Sequence, residues 1–347
     1  MSEEERNIRT GVFAAMAAYT MWGFFPIYFK VADGVSATEM LSQRIIWAVP
    51  FGALILTLRK QWPDVRKIFP DTQKLRALFL AAVAIATNWG VYIWAVQTEK
   101  IFQASLGYYI NPLIFVLVGV IVTGEKLSRL QMTAVALATI GVSILTIYGG
   151  VFPWVSLFLG ISFTVYGYIR KTVDVGAMPG LFIETLLLLP FALLYWGWLA
   201  STGKSAFLND GLQMQFLLLL AGPFTVLPLL CFAMGARRLK LSTIGFLQYI
   251  GPTLQFCVGL YYGEEFTLAH ALCFGAIWVA VAVYSLDAWQ KSHKASAFAR
   301  SEPLDHAVKG NELLTASQQR ALHKDDAGAL AHDAALSVDE LTKPPRP

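Results

Sequence analysis

Tyr109-Ile110-Asn111-Pro112 returns 140 residues further on as Tyr249-Ile250-Gly251-Pro252, and a glutamate, Glu125 or Glu265, follows each proline by thirteen residues. Working outward, a displacement near 140 also brings Tyr19-Thr20-Met21-Trp22-Gly23-Phe24 onto Phe163-Thr164-Val165-Tyr166-Gly167-Tyr168. It brings Pro50-Phe51 onto Pro190-Phe191 and Trp94-Ala95 onto Phe232-Ala233. Self-similarity at one spacing marks a duplicated structural unit.

The content of each unit follows from composition. The 347 residues are 56% hydrophobic and 14% charged, with a mean hydropathy of +0.54, whereas soluble domains are nearer 25% charged. Apolar stretches of about twenty residues, enough to cross a hydrocarbon core of ~30 Å, recur ten times. They fall at 11–29, 40–58, 77–97, 103–123, 129–149, 154–170, 179–199, 214–234, 242–262 and 267–288. The expected fold is therefore all-α and integral to a membrane, with ten transmembrane helices in two five-helix repeats. Five is odd, so the second repeat enters from the opposite side and the two are inverted. That arrangement suits secondary transport, because two pseudo-symmetric halves can exchange inward-open and outward-open shapes around one site. The expected units are a cytoplasmic N-terminus at 1–10, repeats at 11–150 and 151–290, and a polar tail at 291–347 whose composition predicts disorder.

Loop charges set the orientation. With the N-terminus inside, the inner segments hold eighteen Lys and Arg, while the outer loops hold only Lys30, Lys100 and Lys204. Positive residues stay on the cytoplasmic side, which places both termini there. The same scatter, without an aromatic stacking platform, argues against nucleic acid as a partner. Cys231, Cys257 and Cys273 all fall in apolar spans without CxxC spacing, so no disulfide framework or metal site is expected. The acidic start MSEEERNIRT lacks the basic region of a cleaved signal, so the first helix is expected to stay as an anchor.

Several strings resemble one family: AYTMWGFFPIYFK at 18–30, SQRIIWAVPF at 42–51, NWGVYIWAV at 88–96 and QASLGYYINPL at 103–113. SFTVYGYIRK at 162–171, IETLLLLPF at 183–191 and GARRLKLSTIGFLQYIGPTLQF at 235–256 continue the likeness. They are similar to the RarD subfamily of EamA-type permeases, in the drug/metabolite transporter superfamily. The resemblance implies a bacterial inner-membrane exporter with ten helices in inverted repeats. It also implies a site lined by helices 1, 3, 4, 6, 8 and 9. Gln97, where asparagine is expected, and the tail after Trp289 depart from the shared pattern.

Polar side chains inside spans are costly and mark candidate sites. Glu184 is the one acid clearly inside a span, and Arg44 matches it in the repeat. Both are candidate gating or coupling residues, at opposite mouths if the halves are inverted. The structural alternative pairs Glu184 with Arg170 or Lys171, and pairs Arg44 with Asp33 or Glu39 or lets it snorkel outward. The Gly-Tyr and Pro pattern of helices 4 and 9 predicts local breaks or kinks. Tyr108, Asn111, Gln248 and Gln255 are candidate substrate contacts there, the last two placed on one helical face by their seven-residue spacing. Asn88 and Tyr92 on helix 3, with Tyr19, Trp22 and Tyr166 on helices 1 and 6, complete the candidate lining. Interhelical packing bonds are the alternative for the amides.

The expected partners are a small organic solute, such as an amino acid, metabolite or drug, and membrane lipid, with a coupling proton and a homodimer both allowed. No cofactor is expected. A membrane enzyme is disfavoured because His293, His306, His323 and His332 lie in the tail, which leaves His270 alone near a span. A lipid flippase or a non-transporting receptor is the remaining alternative; a channel lacks a charge ring or carbonyl filter motif.

Overall fold

Backbone amides in hydrocarbon have no water to bond and must be satisfied within their own segment, so a chain this apolar folds as helices. The computed structural model describes residues 3–123, 127–236, 238–239, 243–244 and 247–301. Among the described residues every long element is helical. In order they are α1 Glu3–Gly23, α2 Phe25–Val31, α3 Ala37–Leu58, α4 Trp62–Ile68, α5 Thr72–Gln97, α6 Ile101–Thr123 and α7 Arg129–Ile147. There follow α8 Trp154–Thr172, α9 Ala177–Ser201, α10 Ala206–Asn209, α11 Gly211–Leu219, α12 Ala221–Ala236, α13 Ile250–Tyr261 and α14 Leu268–Ser301.

Among the described residues eight stretches are long and apolar enough to cross a membrane: Glu5–Val31, Ala37–Leu58, Thr72–Gln97, Ile101–Val118, Arg129–Ile147, Ala177–Ser201, Gly211–Gly235 and Leu268–Asp287. The other two stretches read as spans are helical without reaching that standard. In α8 the tyrosines and the Arg170-Lys171 pair dilute the apolar character. In α13 only 12 residues are helical, about 18 Å of rise.

Local chemistry sets the starts and breaks. Ser36 caps α3 by accepting the Glu39 N–H at 3.2 Å, and Asp71 caps α5 by accepting those of Gln73 and Lys74. Ser128 and Gln131 form a reciprocal capping box at α7. Thr267 and His270 repeat the spacing at α14, with Oγ1 and Nδ1 2.8 Å apart. The glutamate engaged with a helix start is Glu264, beside the Glu265 aligned from sequence: its carboxylate accepts the N–H groups of Ile101 and Phe102. Burial pushes the Glu264 carboxyl up, and these two backbone donors pull it back down. Glu125 lies outside the described residues.

Pro26 and Pro223 stand just after the α1/α2 and α11/α12 breaks, where their missing N–H and fixed φ end the preceding helix. Of the break or kink expected at Pro112, a break is absent: α6 runs continuously from Ile101 to Thr123. One lost bond is tolerated in a helix held on two sides by α8 and α13. The corresponding break before α13 is present as a turn at 248–249.

α1 packs on α12 and α13, α3 on α9 and α12, α5 on α8 and α9, and α6 on α8 and α13. Lipid is as apolar as leucine, so close backbone approach supplies much of the cohesion. A Cβ on Gly107 of α6 would stand 2.8 Å from the Ser156 carbonyl oxygen of α8, whereas one on Gly197 would meet open space. Gly107→Leu should therefore lower stability by about 1–3 kcal/mol in detergent unfolding. Gly197→Ala should leave it unchanged, and equal midpoints for the two variants would refute this packing account.

The chain divides into a helical unit, Met1–Trp289, and a second unit, Gln290–Pro347. The stretch expected to be a disordered tail begins at 291, yet α14 stays helical to Ser301; residues 302–347 lie outside the described residues.

Candidate functional site

Arg44 of α3 is only 4% exposed. Its Nε donates to Thr225 Oγ1 of α12 at 3.1 Å. Its guanidinium carbon lies 4.4 Å from the ring centre of Trp89, 5.6 Å from that of Phe25 and 5.7 Å from that of Phe29. A cation desolvated among ring faces recovers roughly 2 kcal/mol from their quadrupoles. The expected carboxylate partners are engaged elsewhere. Asp33 Oδ1 accepts the Gly34 N–H. Glu39 accepts the Ser205 hydroxyl and the N–H groups of Ala206 and Phe207 at 2.9–3.3 Å. Arg44 does not snorkel outward, because its rings and Thr225 enclose it.

Glu184 of α9, 1% exposed, follows the structural alternative. Its Oε1 lies 3.4 Å from Arg170 Nε, and Tyr166 donates its hydroxyl to Oε2 at 3.3 Å. A second Arg170 nitrogen donates to the Gly176 carbonyl at 3.2 Å. The pair joins the end of α8 to the start of α9.

A series of rings connects these two charged centres. Phe29 and Tyr92 lie 6.0 Å apart, Tyr92 and Tyr108 5.7 Å, Tyr108 and Phe163 6.1 Å, and Phe163 and Tyr166 6.1 Å. Offset and edge-on contacts at such distances are the favoured aromatic geometry. Three of the five rings, Tyr92, Tyr108 and Tyr166, were candidates from sequence. Phe29, Phe163, Phe25, Trp89 and Thr225 were not, although Phe163 stands inside a repeat anchor.

The remaining candidates divide. Tyr19 and Trp22 form a separate aromatic group with Phe232 of α12, at 5.6–6.1 Å. Asn88 donates to the Leu159 carbonyl and the Ser162 hydroxyl, both at 2.9 Å, and accepts the Tyr108 hydroxyl at 3.3 Å. Asn111 donates to the Gly160 carbonyl at 3.1 Å and to Thr164 Oγ1 at 3.3 Å. Both amides tie their helices to α8. Gln255 donates to the Trp22 carbonyl at 3.3 Å, while its Oε1 has no hydrogen-bond partner among the described residues. Gln248 sits in the turn before α13, so the seven-residue spacing does not place it on the same helical face as Gln255.

Where the start of α1 meets the ends of α3 and α12, a cavity of about 530 Å³ is lined by Asn7, Arg59, Gln61, Ala233, Met234 and Arg238. Arg238 Nε donates to Asn7 Oδ1 at 3.0 Å. The lining residue Ala233 is the chain neighbour of Phe232 of the Tyr19–Trp22 group. Sequence alone read Arg59 and Arg238 only as loop charges.

Comparison with known proteins agrees with the resemblance carried by the quoted strings. The profile of the EamA-like transporter family matches residues 9–147. An uncharacterized transporter of Vibrio cholerae is 44% identical over 296 residues, 85% of this chain and 98% of that one. Protein RarD of Salmonella typhimurium is 42% identical over 286 residues, 82% and 97% of the two chains. Protein RarD of Escherichia coli is 40% identical over 294 residues, 84% and 99%. A solved crystal structure with 16% identity and a TM-score of 0.52, covering 81% of this chain and 98% of that one, is similar in fold alone. With an all-helical architecture, several apolar membrane-crossing helices and RarD relatives matched over nearly their whole length, this chain belongs to the RarD subfamily of EamA-like permeases and is a multi-pass membrane transporter.

Proposed function

We propose that the chain is a secondary transporter of a small organic solute, built from ten spans in two inverted five-helix repeats, 11–150 and 151–290, and working by alternating access. Export from the cytoplasm across the bacterial inner membrane, with both termini inside, completes the reading. The observation that carries it is the pattern of helix pairs. Exchanging the repeats sends α1 to α8, α3 to α9, α5 to α12, α6 to α13 and α7 to α14. Under that exchange the α1–α12 contact becomes α8–α5, α1–α13 becomes α8–α6, and α3–α12 becomes α9–α5. The α3–α9 and α6–α13 contacts map onto themselves. The largest helix pairs survive this swap, while α3–α5 and α5–α6 have no comparable counterpart among the described residues; a bundle with this degree of symmetry supports the reading that a second, related packing is available, which is what alternating access needs.

In this reading the candidate path runs between the halves along the ring series. Arg44 holds the solute, and Glu184 is the gating or proton-coupling carboxylate. The test compares intracellular metabolites in deletion and overexpression strains, then measures uptake of the depleted solute into proteoliposomes. The expected result is a solute that falls in overexpressing cells and enters vesicles only when the protein is present. Purified protein that moves no organic solute under any gradient would overturn the proposal.

A further inference from the structure

Arg44 carries a positive charge in the membrane interior with no carboxylate beside it among the described residues. Its Nε is used on Thr225. Its two terminal nitrogens, the prongs of the guanidinium fork, make no hydrogen bond among the described residues. Near it, Tyr28 donates its hydroxyl to the Leu217 carbonyl at 3.0 Å, and Tyr108 donates to Asn88. The Tyr92 hydroxyl, on a residue 3% exposed, has no hydrogen-bond partner among the described residues. Its ring touches those of Phe29 and Tyr108, and Phe29 also stacks on Arg44.

Unmet donors in a low-dielectric enclosure call for an acceptor, since an unsatisfied buried charge costs far more than an unsatisfied neutral group. A cationic solute would be repelled by Arg44. A dianion such as a phosphate ester would bring a second charge that the walls of Phe25, Phe29 and Trp89 cannot solvate. A planar monoanion matches this chemistry, because a guanidinium fork can take both carboxylate oxygens and ring faces suit an apolar body. The wide cavity at the other end of α3 presents two more arginines, Arg59 and Arg238, whose field concentrates anions at its entrance.

We infer that the solute of this transporter is an organic monocarboxylate with an apolar body, its carboxylate held by Arg44 and the Tyr92 hydroxyl. This deepens, and rests on, the transport reading above. Arg44 and Tyr92 lie 48 positions apart on α3 and α5, and the rings between them belong to α2 and α5.

The experiment uses the full chain in nanodiscs and matched acid and amide probes of equal shape: 3-phenylpropanoate with 3-phenylpropanamide, hexanoate with hexanamide, and indole-3-acetate with indole-3-acetamide. Equilibrium dialysis should show at least one acid binding about tenfold or more tightly than its amide. Arg44→Gln should erase that preference. Arg44→Lys should keep part of it, because the charge remains while the fork is lost. Tyr92→Phe should weaken the acids several-fold and leave the amides unchanged. If Arg44→Gln does not fold, Arg44→Lys and Tyr92→Phe decide the matter, both retaining most of the volume of the native side chain.

Amides that bind as well as acids would overturn the inference, as would a preference surviving in Arg44→Gln or silence from every acid. Vesicle uptake separates this from the broader reading. A protein that binds acids selectively but moves none keeps the site and loses the carrier. A protein that moves neutral or cationic solutes equally with and without Arg44 keeps the carrier and loses the site.

Discussion

Glu184→Ala is expected to unfold about 3 kcal/mol more easily than the wild type, because it strands Arg170 without its carboxylate in a mostly enclosed position. The Tyr166 hydroxyl loses its acceptor in the same step. Glu184→Gln keeps a carbonyl oxygen for Tyr166 and much of the packing, so most of the stability should remain. Proton-driven uptake should nonetheless fall to background in Glu184→Gln, since an amide cannot take up the proton that would release Arg170. Unfolding midpoints in mixed micelles and uptake under an imposed pH gradient check the two halves of this prediction. Undiminished pH-dependent uptake in Glu184→Gln would reduce the residue to a structural tie between α8 and α9.

The second large effect is expected at Glu39. It is 2% exposed and accepts three hydrogen bonds from the start of α10. Glu39→Ala removes the acceptor for one hydroxyl and two backbone amides, each a buried donor worth about 1 kcal/mol or more when orphaned. A loss of about 3 kcal/mol follows, against about 1 for Glu39→Gln, which retains one carbonyl oxygen. A Glu39→Ala midpoint within error of the wild type would mean that water or another group replaces the carboxylate.

Hydrocarbon made much of this fold readable in advance. It demands apolar runs of fixed length, and those runs reappear within helices, most of whose ends lie within about five residues of expectation, while α1 begins at Glu3, α13 only at Ile250 and α14 ends at Ser301. The misreadings have local causes. α8 carries Tyr166 and Arg170, which meet Glu184, and its polar residues blunt its apolar signal. Gln248 was placed on a helical face because spacing alone does not reveal that α13 starts at Ile250.

Arg44 and Glu184 stood out because a charge in a span is expensive. Their surroundings did not. Thr225 is 181 positions from Arg44, and a phenylalanine such as Phe29 looks the same in sequence whether it faces lipid, core or cation. Asn88 and Asn111 were visible as polar, yet only coordinates separate a side chain that binds solute from one committed to a neighbouring helix.

The ring series from Phe29 to Tyr166 has a kinetic consequence. Each ring offers a passing apolar body on the order of 1 kcal/mol, so successive resting places are shallow and similar in depth. Exchange between them is fast, and none acts as a trap. In the proposed mode of transport, the slow event for a molecule on this track would be departure from the well at Arg44. Under that proposal residence time there, rather than the length of the track, would set the turnover of the carrier.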